Sequence, residues 1–341
     1  MPVLNAKKIL GGLAALAMVA AVTFALDGTA AQVQRAAPSR AICDRTASPR
    51  GRSAQQLVDR LRPGQVGCLR GTFEEDVRID RGGTPGRPIT LRSAPGARAT
   101  LVGVLDIGAS ANDVVITGLR LDGRGGAGPQ VNGDRVVFRG NEITNGHRGI
   151  CLLLGADFES GSALLARNVV IDHNRIHDCG RLPATGHDHG IYVEGADGVR
   201  ITNNVIYDNA DYAIHLYPDA KGTYIARNVM DGNGGGVVFA GEKAGGEYQQ
   251  DYASANNIVR NNVISDSRKY HNIESSWGGP RGTGNLATRN CLWNGADGNV
   301  SDQVGFRARG NVIARPAFRN RGQGDFRLKA RTVCARILAG R

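Results

Sequence analysis

The chain has 341 residues and a formal net charge of +11, and only 5% of its residues are aromatic. Arginine is scattered and forms no Lys/Arg-rich stripe, which argues against nucleic acid as the partner. The charge suits an acidic partner instead: an anionic polysaccharide, a teichoic-type wall polymer or a membrane surface.

In chain order, Lys7 and Lys8 precede an apolar run from Ile9 to Leu26, and the small residues Thr29, Ala30 and Ala31 follow. This is the layout of a secretory signal peptide over residues 1–31. The run is also nearly long enough to span a bilayer, so a retained N-terminal anchor is the alternative. Without such an anchor no stable membrane partner is expected, and the protein is read as a secreted monomer. Residues 32–42 form a Pro/Ala/Gln linker, 43–334 one domain, and 335–341 a tail. Six cysteines in an exported chain, with no C-x-x-C spacing, favour disulfides over metal ligation. Many pairings are possible. Cys43–Cys68, Cys151–Cys179 and Cys291–Cys334 are preferred because each staples neighbouring parts of a stacked fold. From Ser53 to Leu61 one helical pattern stands out, with Ser53 as its cap and Pro63-Gly64 as its stop. Beyond it come short aliphatic runs, Val66–Leu69, Val77–Ile79, Ile89–Leu91, Thr100–Val104 and Val114–Ile116, separated by Gly, Pro, Asp and Asn.

A degenerate repeat then takes over. Val169–Ile176, Val199–Ile206, Thr223–Met230 and Asn257–Ile264 each place an asparagine at the same point: Asn174, Asn204, Asn228 and Asn262. Fainter copies carry Asn141, Asn290 and Asn311, and the successive steps are 33, 30, 24, 34, 28 and 21 residues. Propeller blades need near-constant lengths, whereas a parallel β-helix tolerates loops inserted at its turns. The repeat therefore predicts an all-β solenoid, a parallel β-helix with three short strands per coil and a short N-terminal capping helix. Each asparagine is expected at an internal turn, bonding to the coils above and below. Residues 312–328, with Pro316, Phe318, Phe326 and Leu328, are expected to close the core at the far end.

Each asparagine coil is followed by a second strand. Alternation along it points Ile150/Leu152, Ile191/Val193, Ile214/Leu216, Val237/Phe239 and Ile273 inward. One outward column then reads Cys151, Tyr192, His215, Val238, Glu274, and a second reads Leu153, Glu194, Tyr217, Ala240, Ser276. Tyr192, Glu194, His215 and Tyr217 form a compact quartet. His187, Asp188, His189, Asp211, Asp219, Lys221, Glu242, Lys269 and His271 surround it, and Glu247 to Tyr252 read as a groove wall. The extra residues of the longer coils, 156–166, 180–188, 242–255 and 277–284, fall beside the same strands and would make a groove. No cofactor is expected; His187-Asp188-His189 is not a recognised zinc spacing, and Ca²⁺ on Glu194 with Asp188 or Asp219 is the metal alternative, since calcium takes oxygen ligands.

Gly71-Thr72-Phe73-Glu74, then Gly86 to Ser93 and the ending Pro316-Ala317-Phe318 with Gly324 to Leu328, carry a resemblance. Over about residues 43–334 the chain resembles right-handed parallel β-helix proteins built from pectate-lyase-type repeats, chondroitinase B-like and alginate-lyase-like members among them. The resemblance implies the fold. For the reaction it implies only a choice among lyases, hydrolases, epimerases and proteins without known activity. Chondroitinase B-like lyases imply a calcium held by an Asn and two acids, with Lys and Arg as catalysts, but this chain has no outward Asn-Glu-Glu column. Uronate epimerases imply an Asp-Pro-His motif, and here Pro218-Asp219 follows Tyr217 instead.

The leading expectation is β-elimination on an anionic, uronate-containing polysaccharide. His215 would be the base and Tyr192 or Tyr217 the acid, with His189, Lys221 or Arg227 neutralising the carboxylate. Glycoside hydrolysis by Glu194 with Asp188, Asp211 or Asp219 is the second expectation. A non-catalytic wall- or glycan-binding solenoid, with Tyr192 and Tyr217 as stacking platforms, is the third.

Overall fold

A computed structural model describes residues 43–124, 126–155, 166–246 and 248–341. The expected signal peptide and linker, most of the 156–166 insertion and Glu247 lie outside the described residues. Among the described residues no helix is long and apolar enough to cross a membrane.

Each coil lays one short strand on each of three sheets. The first sheet has 11 strands, from Arg45–Ala47 to Phe306–Arg309, and the second has 10, from Thr72–Glu74 to Val312–Ile313. The third also has 10; its strands stack from Val77–Ile79 to Gly235–Glu242, on which Ile273–Trp277 pairs in turn. Among the described residues the coils stack in parallel, and only Tyr252–Ala253 joins the third sheet antiparallel. The predicted solenoid is therefore the observed fold. Its interior is a set of aligned side-chain rows. In the first sheet Ile116, Phe138, Ile171, Ile201, Ile225 and Val259 sit in register, all fully buried. Branched residues suit such rows because they fill a pleated surface with little rotamer loss.

The asparagine repeat marks the corner between the first and second sheets. The residue before each ladder asparagine (Gly140, His173, Asn203, Arg227, Asn261, Arg289, Gly310) has φ between 55° and 65°. One left-handed residue is enough to swing the chain from sheet to sheet, at a cost of about 1–2 kcal/mol where it is not glycine. The asparagines offset that cost. Asn141 N–H donates to Asn174 Oδ1, and the relay passes on through Asn204, Asn228, Asn262 and Asn290 to Asn311 at 2.8–3.0 Å per step. From Asn141 to Asn290 each Nδ2 group also donates to the next asparagine and to a carbonyl of the preceding coil; Asn228 Nδ2, for instance, reaches Ile201 O at 2.9 Å. Two shorter asparagine pairs that the repeat did not reveal, Asn209–Asn233 and Asn257–Asn285, do the same at other corners.

The helix forms at Ala54–Val58, with Ser53 Oγ accepting from Gln56 N at 3.1 Å and Leu57 and Val58 buried. All three expected disulfides are present, with Cα–Cα separations of 5.6, 5.5 and 5.3 Å.

The far end differs from expectation. Phe318, Phe326 and Leu328 do not close the interior. They join Val229, Val263, Cys291, Cys334 and Ile337 in a separate cluster on the outer side of the second sheet. Met230 and Ile264 fill the interior row of that sheet, so Val229 and Val263 face outward and need a cover. The presumed tail supplies part of it: residues 335–338 lie in a helix, Val333–Leu338, capped by Thr332 and tied down by Cys334.

Candidate active site

Five strands of the third sheet position the site: β1 (Leu152–Leu154), β2 (Ile191–Asp197), β3 (Tyr212–Lys221), β4 (Gly235–Glu242) and β5 (Ile273–Trp277). Tyr192 pairs with His215, His215 with Val238, and Val238 with Glu274, as the alternation predicts. On β1 the register differs. Leu152 pairs with Ile191 and Leu153 with Tyr192, so Leu153, not Cys151, heads the Tyr192 column, and Leu152/Leu154 is the inward pair opposite Ile191/Val193. Cys151 is buried in its disulfide. A slip of two residues preserves the inside–outside alternation, so periodicity cannot detect it. The extra residues are used in a turn where Asn145 Nδ2 donates to Gly149 O at 2.7 Å.

Between β2 and β3 the register shifts so that Gly195 faces Asp219, which sets Glu194 against Tyr217 and Pro218. Bulges of this kind re-aim side chains beside functional sites. Tyr192, Glu194, His215 and Tyr217 accordingly line one cavity of about 630 Å³. Glu242, His187, His189 and Tyr248 share its lining, and Ile150 and Leu153 form an apolar wall. The ring of His215 stacks on Tyr192 at 5.3 Å and on Tyr217 at 5.4 Å, within 23° of parallel. Tyr217 donates to Glu242 Oε2 at 3.0 Å, and Tyr248 meets the Tyr217 ring edge-on at 6.1 Å. The expected groove wall thus contributes through Tyr248.

Burial first, and the neighbouring His187 second, push the His215 imidazole down to about 3. The same two influences, with His215 itself ahead of His187, hold buried His189 well below the usual histidine value. Both rings are therefore neutral near pH 7, and they share a short contact, His215 Nδ1 to His189 Nε2 at 2.6 Å. Tyr217 is pushed well above the ordinary phenol range by burial and by its hydrogen bonds with Tyr248 and Glu242. It is a protonated donor across the physiological range.

The other expected residues serve different ends. Asp188 is buried and gripped by Arg181 at 2.6 Å, with Thr185 Oγ1 donating to it at 3.1 Å. Burial alone would raise its carboxyl, but those hydrogen bonds bring it below the normal range. Asp211, fully buried, accepts from Gly186 N at 2.9 Å and Asp188 N at 3.1 Å, so it anchors the 181–189 loop and is not available to substrate. Asp219 pairs with Lys221 at 2.7 Å, and neither lines the cavity. Arg227 stands at the corner between the first and second sheets and lines a different crevice. The Lys269 ammonium sits 4.7 Å above the Tyr270 ring. His271 contacts Glu274 at 2.8 Å and borders a separate cavity with Trp277 and Arg281. His189 is held neutral and no Lys or Arg is among the described residues lining the site, so none of the three expected carboxylate neutralisers brings a positive charge to that lining. All three expected carboxylate partners of Glu194 are likewise engaged elsewhere, and Glu242 shares the cavity with it instead.

Asp188 and Asp219, two of the three residues considered for calcium, pair with Arg181 and Lys221. Among the described residues no group of three or more His, Cys, Asp or Glu is arranged to hold a metal ion. Tyr212 escaped the sequence reading. It opens β3, stacks on Tyr270 at 4.6 Å and donates to Glu274. Only the bond across two coils distinguishes it from an ordinary core tyrosine, and that bond has no signature in sequence.

Asp211→Ala tests the loop anchor. The Gly186 and Asp188 amides lose their acceptor, and their hydrogen exchange is expected to accelerate at least tenfold while the ladder amides stay protected. Unchanged exchange at both would contradict the assignment.

Three parallel sheets wound as coils, with an aromatic- and carboxylate-lined cavity set into the third, define a parallel β-helix with a candidate site on that sheet. A sequence profile described as the right handed beta helix region matches residues 103–313, and the chain belongs to that family. Among solved structures it is similar to an alginate lyase from Paenibacillus sp. at 18% identity and a TM-score of 0.52, covering 79% of this chain and 99% of that one. A pectate lyase is similar at 14% identity and a TM-score of 0.51, covering 85% and 90%. At these identities the likeness is one of fold. No curated protein sequence matches this one.

Proposed function

We propose that this is an exported carbohydrate-active enzyme whose cavity cleaves a uronate-containing polysaccharide by β-elimination. The observation that carries the reading is the neutral His215 imidazole stacked against two phenols, Tyr192 and Tyr217, inside one cavity. Three disulfides fit an oxidising compartment. The fold is one that a known alginate lyase and a known pectate lyase share.

His215 Nε2 takes the proton from C5 of the uronate, and the electron pair spreads onto the carboxyl group. The C4–O bond breaks, and Tyr217 or Tyr192 protonates the leaving oxygen, giving an unsaturated uronate at the new non-reducing end. The base role requires the tautomer in which His215 Nδ1–H donates to His189 Nε2. That places the His189 proton on Nδ1, a buried atom without a hydrogen-bond partner, at a cost of about 1–3 kcal/mol.

Glu194 and Glu242 repel a free carboxylate, and among the described lining residues no Lys or Arg offsets them. An esterified carboxyl escapes that repulsion, and its carbonyl is the better electron sink. A methyl-esterified polyuronate is therefore expected to react at least tenfold faster than its de-esterified form, read as unsaturated product by ultraviolet absorbance. Equal or reversed rates would overturn this feature of the proposal. The same pair of carboxylates favours a second reading, hydrolysis by Glu194 and Glu242 as acid and base. New reducing ends without unsaturation select it, and binding without turnover selects a glycan-binding solenoid.

A further inference from the structure

Although arginine occurs along the whole sequence, the expectation that no segment is Lys/Arg-rich does not hold at the C-terminal end, where the net charge is concentrated. Residues 303–341 hold ten Lys and Arg against one acid, Asp325, a net of +9 out of the +11 of the whole sequence. All ten cations are exposed. Arg321 is paired with Asp231 and Asp266, and Arg327 with Asp325. Among the described residues no salt bridge engages Arg307, Arg309, Arg315, Arg319, Lys329 or Arg331.

The fold adds more charge from earlier coils. The C-terminal helix lies against the corner between the first and second sheets, where Asn261 Nδ2 donates to Ile337 O at 3.0 Å. That corner exposes Arg227 and Arg289, both in the left-handed conformation and both without a salt-bridge partner among the described residues. Between corner, hairpin and helix opens a crevice of about 620 Å³. Arg175, Arg227 and Arg327 stand on its walls, over the apolar side chains of Val205, Phe326 and Leu338. Cations above an apolar floor suit a chain whose sugar rings offer C–H faces and whose substituents carry negative charge.

We propose that this crevice and the arginine-rich surface around it form a second binding site, for an anionic polysaccharide, on a different side of the β-helix from the catalytic cavity. The cavity lies on the third sheet; the crevice is built on the first–second corner. The two therefore hold separate stretches of polymer. A bilayer is the less suitable occupant for two reasons. The cations wrap from the last strand of the first sheet, Phe306–Arg309, round to the helix over the second, whereas a membrane meets one plane. Among the described residues the exposed large apolar side chains, Leu182, Val312, Ile313 and Val333, include no aromatic anchor. The site does not depend on which reaction the cavity performs.

Arg227, Arg289 and Arg331 all have φ between 55° and 64°, so replacement by Asn, which tolerates that conformation, removes charge without new backbone strain. The test is co-sedimentation with immobilised polygalacturonate at low and at physiological salt, in a His215→Ala background that keeps the polymer intact. The triple variant R227N/R289N/R331N is expected to bind at least tenfold more weakly, and the parent is expected to weaken with added salt. The charge-matched control R50N/R60N/R62N, at the other end of the solenoid, is expected to stay within twofold. Neutral dextran is expected not to bind. Equal loss in both triple variants would reduce the effect to bulk charge and overturn the site. So would undiminished binding by R227N/R289N/R331N, or binding to phosphatidylglycerol vesicles with none to the polymer. Cleavage by the His215→Ala background would count against the catalytic assignment alone.

Discussion

His215→Ala is expected to lower turnover roughly a hundred- to ten-thousand-fold while leaving the fold and its unfolding midpoint near those of the parent. The ring sits in the cavity wall and contributes no interior packing row, so its removal costs chemistry before it costs stability. Because the imidazole titrates near 3, His215 is in its basic form across the whole physiological range, and it imposes no loss of activity between pH 8 and pH 5. A pH–rate profile that falls through pH 6.5 and loses that fall in the variant would contradict the assignment. Stability responds to the same group with a defined sign. The unfolded histidine titrates near 6.5 and the folded one near 3, so between those values the unfolded chain binds more protons. The contribution is complete above about pH 6.5 and is lost progressively as pH falls toward 3. His215→Asn, which has no titrating ring, is expected to lose less stability over that window by denaturant titration. An unchanged slope would show that the folded histidine is not held neutral.

Asn228→Ala is expected to destabilise the solenoid by about 4 kcal/mol, a drop of roughly 8 °C or more in the thermal midpoint. The side chain of Asn228 accepts from Asn204 N and Nδ2 and donates to Asn262 Oδ1 and Ile201 O, all within 2.9–3.0 Å. Alanine leaves all four groups without that partner in a corner where asparagines 204, 228 and 262 are at most 1% exposed. Buried orphans of this kind cost about 1–3 kcal/mol each before relaxation. The exposed control Gln250→Ala is expected within about 0.5 kcal/mol of the parent. A loss below 1 kcal/mol in Asn228→Ala would mean that water or a shifted neighbour replaces the ladder.

The ladder also explains why so much of the fold was legible. Its spacing is irregular, but each asparagine must meet the same two partners, so the residue recurs wherever the chain turns the same corner. The register that follows put Tyr192, Glu194, His215 and Tyr217 together, and they do share one cavity. Alternation carries no information about a slip of two, which is why Cys151 was set in the place of Leu153. Nor does it say which charged neighbours are already engaged. Asp188 and Asp211 lie close in sequence to the quartet, yet each is held by a partner that the path of the 181–189 loop brings near, and Asp219 and Lys221, two residues apart on one strand, hold each other.

The sequence alone determined the solenoid and the outward quartet, because both rest on local periodicity, whereas it only favoured three cysteine pairs among many and the structure chose them. The tertiary structure alone decided what that quartet works with. It placed His189 against His215 and Glu242 against Tyr217, and it left the described lining without a Lys or Arg. It also folded the basic C-terminal segment back onto the corner that bears Arg227. The first two contacts join neighbouring coils, but which side chains meet there, and where the C-terminal segment lands, are set by strand ends and loops whose positions periodicity does not give.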